Sequence, residues 1–221
     1  MPRRSLLSAR ARADLFDIPT DSDGLMRHYL LSPSDLELIR TRRRDENRFG
    51  LAVHISLLRH PGQGWRDGVV LPAALLDFLG DQLHLPAAHL LNYASRGATR
   101  SAHQALALQH LDLVPFTNEH MAMAEDIATT AAFATDHGVK IVKTLVAELR
   151  RQHLVLPPVD RLERLALKGR ARARREAAAA LFDALSPDQC VQLQALLVND
   201  LCVGQTRLTW LRGYPHSASP A

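Results

Sequence analysis

Apolar residues recur at helical spacing between residues 28 and 62, where two amphipathic segments flank a short polar turn. Ser32 is suited to cap the first helix and Pro33 to occupy its first position. The charged residues 44–47 are predicted to belong to the turn, and Pro61 followed by Gly62 ends the second helix. The pattern therefore predicts a helix, a turn and a second helix, with several arginines at the joint.

A second helical group follows between residues 70 and 110, after a glycine-containing loop around Trp65. Breaks near 85–86 and 96–97 divide this group into three short helices, a plan typical of helix-turn-helix units. Thr99 is a predicted N-cap for the last of them. We expect Ala102, Leu106 and Leu111 to face inward, and Arg100, His103, Gln104 and Gln109 to lie outside. This last helix, 99–110, is the candidate recognition helix.

Longer helices are predicted beyond Pro115. Thr117 begins an alanine-rich helix that ends near 136–138 with a left-handed glycine. Residues 139–154 remain ambiguous between strand and helix, and their length and leucine spacing favour a helix. A strongly basic helix runs from 161 to 175 and leads to an apolar end at 181–185 that we expect to pack. Ser186 followed by Pro187 begins one more helix.

The predicted fold is all-α, with tandem small helical bundles of helix-turn-helix type followed by longer packed helices. We divide the chain into a first module at 1–68 with a basic N-terminal arm, a second module at 69–115, longer helices at 116–214 and a disordered tail at 215–221. Aromatic residues make up only 5% of the chain, and leucine and alanine dominate, which favours helices over a β-rich fold.

Composition excludes several classes of protein. The net charge of +4 is mildly basic, so the clustering of the arginines is more informative than their total. No apolar run is long enough to cross a membrane, and no secretion signal precedes the first helix. Cys190 and Cys202 are the only cysteines and are not spaced as a metal site, so we expect buried thiols. The expected location is the cytoplasm of a cell in which DNA is accessible.

Motifs for enzyme chemistry are absent from the sequence. It contains no HExxH, GxSxG, P-loop or GxGxxG pattern, and its histidines are scattered. Glu119, Glu125 and Asp126 are interpreted as the exposed face of a helix. We expect no catalytic residues, no metal, no cofactor and no small-molecule ligand.

Short tags along nearly the whole chain carry a resemblance to a known family. The central tags are His28-Tyr29, Leu31-Ser32, Asp35-Leu36, Ile39-Arg40, Arg42-Arg43, Asn47-Arg48 and Ala52-Val53, and others include Tyr93-Ala94, Pro115-Phe116-Thr117, Glu148-Leu149-Arg150-Arg151 and Trp210-Leu211-Arg212. In order and spacing these resemble the N-terminal region of transposases of the Tn-three family of replicative transposons. The sequence departs from that pattern at Ser101-Ala102, where an Arg-Glu pair is usual, and at His60, where tyrosine is common.

The resemblance implies sequence-specific binding of double-stranded DNA at the terminal inverted repeats of a transposon. It implies that the catalytic carboxylates lie outside this chain, and that a second copy or an intact transposase is a further partner. Together with the charge pattern, it defines a set of candidate DNA-binding residues. They are Arg3, Arg4, Arg40, Arg42, Arg43, Arg44, Asn47, Arg48, Arg96, Thr99, Arg100, His103, Gln104, Arg150, Arg151, Arg161, Arg164, Lys168, Arg170, Arg172, Arg174 and Arg175.

Other interpretations of these residues stay open. The basic helix is equally typical of a solvated face, and Arg150 and Arg151 suit the C-terminal end of a helix without any DNA contact. The chain as a whole is alternatively an all-helical protein-interaction module that associates with an intact transposase and inhibits it.

Overall fold

The computed structural model describes residues 6–66, 69–93, 97–200 and 205–213, and within these it is an all-α protein, as predicted. The α-helices are α1 Ala9–Phe16, α2 Ser22–Tyr29, α3 Pro33–Arg40, α4 Asp45–Arg59, α5 Ala73–Leu83, α6 Gly97–His110, α7 Met121–Ala134, α8 Gly138–Arg151, α9 Val159–Asp183, α10 Pro187–Ala195 and α11 Arg207–Gly213. Short 3-10 helices cover Ala87–Asn92 and Asn118–His120. Asn199–Asp200 and Gln205–Thr206 form a two-residue antiparallel pair.

The chain divides into two compact units, residues 1–173 and 174–221. The first unit contains α1–α8 and the first part of α9. The second contains the end of α9, together with α10, the strand pair and α11. The amide of Leu208 donates a hydrogen bond to the carbonyl of Leu196 within the second unit.

Helix α4 is the centre of one hydrophobic core in the first unit. It contacts α2, α3, α5, α6 and the 3-10 helix 87–92. Every residue from Phe49 to Leu58 is buried, so α4 has no exposed face beyond its first turn and its last residue. The ring of Tyr93 occupies the space that a Cβ at Gly50 would need. Residues from both predicted modules belong to this core, including Tyr29 of the first and Ala107 of the second. The boundaries at 68 and 115 stay a prediction.

A second core in the first unit is formed by α7, α8 and the start of α9, with Leu7 and Phe16 from the N-terminal segment. At the crossing of α7 and α9, a Cβ at Gly169 would lie 2.6 Å from the carbonyl carbon of Ala128, so only glycine allows this approach. The backbone amide of Leu7 and the guanidinium of Arg12 donate to the buried carboxylate of Glu163, at 2.9 and 2.8 Å. These bonds fix α1 against α9.

A buried carboxylate joins α3, α4 and α6. Ser32 and Asp35 form a capping box at the start of α3, as the sequence indicated. Asp35 is completely buried and also accepts two hydrogen bonds from Arg59 at 3.0 Å and one from His110 at 2.8 Å. The same side chain thus caps one helix and links two others to it.

Several local predictions were wrong. Helix α4 begins at Asp45, because Asp45 and Glu46 suit the positive end of a helix rather than a turn. Gly138 begins α8 and does not adopt the left-handed conformation. Leu181 and Phe182 are exposed and do not form a packing end. Residues 139–154, by contrast, are helical through Arg151, as predicted.

Candidate nucleic-acid interface

The turn between α3 and α4 holds the densest group of arginines, and its conformation depends on one of them. Arg48, on the first turn of α4, donates from Nε to the carbonyl of Arg42 at 2.8 Å and from Nη1 to Asp45 at 3.1 Å. These bonds tie the turn to the helix that follows it. Arg48 is therefore engaged in shaping the turn.

Two arginines of this turn are unengaged. Arg40 and Arg43 are exposed, and neither makes a hydrogen bond or an ion pair with the described residues. Arg44 is 77% exposed and lies 3.8 Å from Glu46, a surface pair worth little in water. Arg42 is half-buried and donates to the hydroxyl of Thr41 at 2.9 and 3.0 Å. The turn thus presents Arg40, Arg43 and Arg44 to solvent as cations.

Asn47 lies on the same first turn of α4, where it is half-buried. Its amide makes no side-chain hydrogen bond to the described residues. Beyond Arg48 the helix enters the core on all sides. Only this first turn of α4 is accessible, so the body of α4 is not a helix that fits into a DNA groove.

A stack of rings and one guanidinium positions α6. The ring of Tyr93 stacks on Trp65, with centroids 5.7 Å apart, and on His103 at 5.6 Å. The guanidinium of Arg100 lies over Trp65, 4.4 Å from its centroid, and donates to the Trp65 carbonyl. Nδ1 of His103 is 3.0 Å from the hydroxyl of Tyr93.

The predicted exposure of His103 was therefore wrong. His103 is buried and Ala102 is exposed, because the aromatic stack, contributed by distant segments, takes the side of α6 on which His103 lies. Thr99 lies inside α6, which begins at Gly97, so it is not the N-cap. Gln104 is half-buried and its Nε2 lies close to Gly64. The exposed side of α6 consists of Ala98, Ser101, Ala102, Ala105 and Gln109.

Burial makes the histidines around this stack harder to protonate. Burial lowers the pKa of His103, and the positive charge of Arg42 lowers it further. Burial, with the charges of Arg100 and His103, lowers the pKa of His54 to about 4. Both ring nitrogens of His54 lack a hydrogen-bond partner among the described residues. Nε2 of His110 in α6 lies 2.8 Å from the carboxylate of Asp35 in α3, so residues predicted for two separate modules come together.

Arg150 and Arg151 have partners within the chain. Nη2 of Arg150 donates to the carbonyl of Pro61 at 2.8 Å and so fixes the loop after α4. Arg151 forms a two-pronged pair with Glu148, at 2.6 and 2.9 Å. These contacts accord with the structural interpretation of both residues at the C-terminal end of α8.

The basic residues of α9 do not form one continuous exposed face. Lys168 and Arg172 turn toward α7, where they lie 3.8 Å from Glu125 and 2.6 Å from Asp126. Arg164 donates to the carbonyl of Asp160. Arg174 and Arg175 are exposed, and Arg170 is half-buried. The remaining member of the set, Arg161, lines a cleft beside α6.

Some candidate residues lie outside the described part of the chain, and others were missed. Arg3, Arg4 and Arg96 belong to the first group. Arg66, which lines the same cleft as Arg161, belongs to the second. Its position beside Trp65 in a glycine-containing loop was the available signal, since such loops bring a backbone close to a ligand.

Two kinds of feature are absent from the described residues. No helix there is long and apolar enough to span a membrane. Those same residues contain no group of three or more histidine, cysteine or acidic side chains placed to hold a metal ion. Cys190 is a free, half-buried thiol, and Cys202 lies outside the described ranges.

Taken together, the described residues form an all-α protein with an arginine-bearing turn and an exposed helix face of small residues. It belongs to the family described as Domain of unknown function (DUF4158), which matches residues 6–169. It is 37% identical over 217 residues to the transposase for transposon Tn3926 of Escherichia coli and 34% identical over 216 residues to that for transposon Tn501 of Pseudomonas aeruginosa. The transposase for transposon Tn1546 of Enterococcus faecium is 26% identical over 219 residues.

These matches confirm the resemblance to the N-terminal part of Tn-three family transposases. Each covers at least 97% of this chain and 22% of the relative. The chain therefore spans about a fifth of the length of the relatives that it matches.

Proposed function

We propose that this chain binds double-stranded DNA at the terminal inverted repeats of a transposon, as the N-terminal part of a transposase. The observation that carries the proposal is the α3–α4 turn, where Arg40, Arg43 and Arg44 are exposed, and Arg40 and Arg43 lack a partner among the described residues. Guanidinium groups presented in this way suit the phosphate backbone of DNA. The relatives are named as transposases, which supports the same assignment. In a bacterial cell this role associates the chain with the nucleoid.

The turn and α6 take different parts in the proposed complex. Phosphate contacts orient a protein on the duplex, and contacts with base edges select the site. The turn supplies the phosphate contacts. The exposed side of α6, with Ala102, Ala105 and Gln109, is small enough to approach a groove closely, and glutamine can bond adenine. Asn47, on the accessible turn of α4, is a second group with that ability.

Other members of the candidate set support these contacts indirectly. Arg48 shapes the turn, and Arg100 and His103 hold α6 through the aromatic stack. Replacing His103 therefore perturbs α6 as a whole, and base preference is better tested at Gln109. Arg164 and Arg170 are proposed to contact the backbone next to the groove that α6 enters. Arg174 and Arg175, in the second unit, stay predicted DNA-binding residues.

A salt titration tests the phosphate contacts. We expect the double variant Arg40→Gln/Arg43→Gln to lower the magnitude of the slope of log K against log salt by roughly 1.8, since each lost phosphate contact removes about 0.9. Affinity at 0.1 M salt then falls roughly 60-fold on repeat and scrambled duplexes alike. The matched control Arg27→Gln/Lys143→Gln removes two exposed charges from α2 and α8. Equal losses in both double variants would contradict a specific role for the turn.

Competition between duplexes tests the base contacts. We expect Gln109→Ala and Asn47→Ala to lower the preference for the repeat over a scrambled duplex by about tenfold each, with little change on the scrambled duplex. The duplexes carry the ends of the transposon that encodes this chain, or of those that encode its relatives. An unchanged ratio for both variants would exclude the assignment of base readout to these residues.

A protein-interaction module is the second candidate, and a feature of residues 174–221 favours it. Among its described residues, six large apolar side chains are about half exposed or more: Leu181, Phe182, Val191, Leu193, Leu197 and Val198. Such side chains suit a docking surface for a second copy or for an intact transposase. Measuring the mass in solution with and without repeat DNA separates the two candidates. A dimer without any DNA affinity would favour the second.

A further inference from the structure

A cleft of about 260 Å³ lies between the loop 64–66, helix α6 and the first turn of α9. Arg66, Arg161 and Gln104 of α6 are among the side chains that line it. Phe116 and Pro157 contribute apolar walls. None of the described residues that line the cleft is acidic.

Backbone and amide hydrogen bonds set the width of this cleft. The amide of Leu156 donates to the carbonyl of Gly62 at 2.8 Å, and the side chain of Gln63 donates to the carbonyl of Pro157 at 2.9 Å. These bonds hold the loop that carries Arg66 against the segment that carries Arg161. A Cβ at Gly64 would lie 2.9 Å from Nε2 of Gln104, so the glycine leaves that amide room beside the loop. Arg66 and Arg161 therefore lie on two segments that are hydrogen-bonded to each other.

The charges of the cleft have no ion-pair partner among the residues that the structure describes. Neither guanidinium makes a hydrogen bond or an ion pair with the described residues. The acidic residue next to Arg161, Asp160, lies 3.4 Å from Arg12 and does not line the cleft. Guanidinium groups are charged at every accessible pH, and apolar walls weaken the screening between them. An anion that accepts hydrogen bonds from both relieves their repulsion.

We propose that Arg66 and Arg161 bind a single phosphate group in this cleft, with the Gln104 amide as a further donor. Phosphate oxygens match the planar, forked donors of arginine, and a tetrahedral group has enough acceptors for three side chains. The proposal rests on the proposed function in one respect, since the phosphate is that of a DNA backbone next to α6. Free phosphate has the same chemistry and is distinguished by experiment.

The first experiment measures DNA binding by the full 221-residue chain across salt concentrations. Because two arginines share one phosphate, we expect Arg66→Gln/Arg161→Gln to lower the magnitude of the salt slope by about 0.9, which corresponds to about an eightfold loss of affinity at 0.1 M salt. The effects of the two single variants should not add up to that of the pair, because both contact the same group. A slope change near 1.8, or a loss equal to that of Arg27→Gln/Lys143→Gln, would overturn a shared phosphate.

The second experiment measures thermal unfolding in inorganic phosphate against chloride at matched ionic strength. We expect phosphate to raise the midpoint of the wild-type chain and of the Arg27→Gln/Lys143→Gln control, and not that of Arg66→Gln/Arg161→Gln. Equal midpoint shifts in all three proteins would overturn the cleft as a phosphate site.

The two experiments also separate this inference from the proposed function. Suppose that phosphate raises the unfolding midpoint only when Arg66 and Arg161 are present, and that the chain does not bind DNA. The cleft would then be a site for free phosphate, and the proposed function would be rejected. Repeat-specific binding that is indifferent to both arginines would keep the proposed function and reject the site. Circular dichroism confirms that each variant retains its helix content.

Discussion

The buried carboxylate of Asp35 offers the sharpest test of how this fold is held together. Its side chain accepts hydrogen bonds from Arg59, His110 and the amide of Ser32, at 2.7 to 3.0 Å. Asp35→Asn keeps the shape but replaces one accepting oxygen with an NH2 group, which then faces a donor. The guanidinium of Arg59, one-third exposed, loses its counter-charge.

The magnitude follows from the pKa of Asp35. Burial by itself raises that pKa, but the hydrogen bonds from Arg59, Ser32 and His110 outweigh it and hold the pKa at about 2, below the ordinary value of 3.8 for an aspartate side chain. The ionised carboxylate therefore contributes about 2 kcal/mol to the free energy of unfolding at neutral pH. Since the folded-state pKa is depressed, this contribution is complete above about pH 5 and is lost as the pH falls toward 2.

Urea unfolding followed by circular dichroism, at pH 7 and at several values down to pH 2.5, measures both effects. We expect Asp35→Asn to lower the free energy of unfolding at pH 7 by about 2 to 4 kcal/mol, because it breaks a buried pair. We also expect it to remove part of the acid sensitivity of the wild-type chain. Glu37→Gln, an exposed site on the same helix, is the matched control and should cost less than about 0.5 kcal/mol. Equal stability of the two variants at pH 7 would refute the central role of Asp35.

Three further predictions concern other contacts. Gly169→Ala should lower the free energy of unfolding by about 1 to 3 kcal/mol in a urea titration, because the added Cβ meets the backbone of α7. Gly97→Ala is its control and should be neutral or slightly stabilising, since nothing lies within 4 Å of the added atom. Glu163→Gln should loosen α1 and increase amide hydrogen exchange across residues 9–16, because the carboxylate that binds Leu7 and Arg12 is lost. As the pH falls from 6.5 to 4, the free energy of unfolding of the wild-type chain should decrease by about 3 kcal/mol, because a histidine with a folded-state pKa of about 4 resists protonation in the folded state. His54→Leu should not show this decrease.

Each of these predictions has a contrary result. Equal stability of the two glycine variants would mean that α7 and α9 separate at no cost. Unchanged exchange in α1 would show that apolar contacts alone hold that helix. An acid profile of His54→Leu identical to that of the wild-type chain would assign the acid sensitivity to other groups.

Local signals in the sequence predicted the ends of elements well where a residue has one dominant conformational preference. Ser32 with Pro33 and Ser186 with Pro187 each begin a helix, because the serine hydroxyl accepts from a free amide and proline fits the first turn. Thr99 failed as a cap, since α6 starts at Gly97. A capping residue is informative only when the preceding backbone stays extended.

The burial of individual side chains was harder to predict, because it depends on contacts between segments that are far apart in the sequence. The spacing of apolar residues predicted one buried face for α4, whereas neighbours on all sides enclose it. His103 was assigned to the outside because histidine is polar, and Tyr93 and Trp65 reverse that assignment from distant segments. The cleft of Arg66 and Arg161 joins residues 95 positions apart by hydrogen bonds of the main chain, which carry no signature in the side chains.

In the proposed complex with DNA, the enclosure of α4 fixes the distance between two contacts on the duplex. A turn at one end of this helix and the α6 packed along it cannot shift independently, because no hinge separates them within the core. The distance between the turn and α6 is therefore fixed. If one base pair is inserted between the two DNA segments that the turn and α6 contact, the chain should keep one of these contacts and lose the other. Two domains joined by a flexible linker would instead adjust to the longer site.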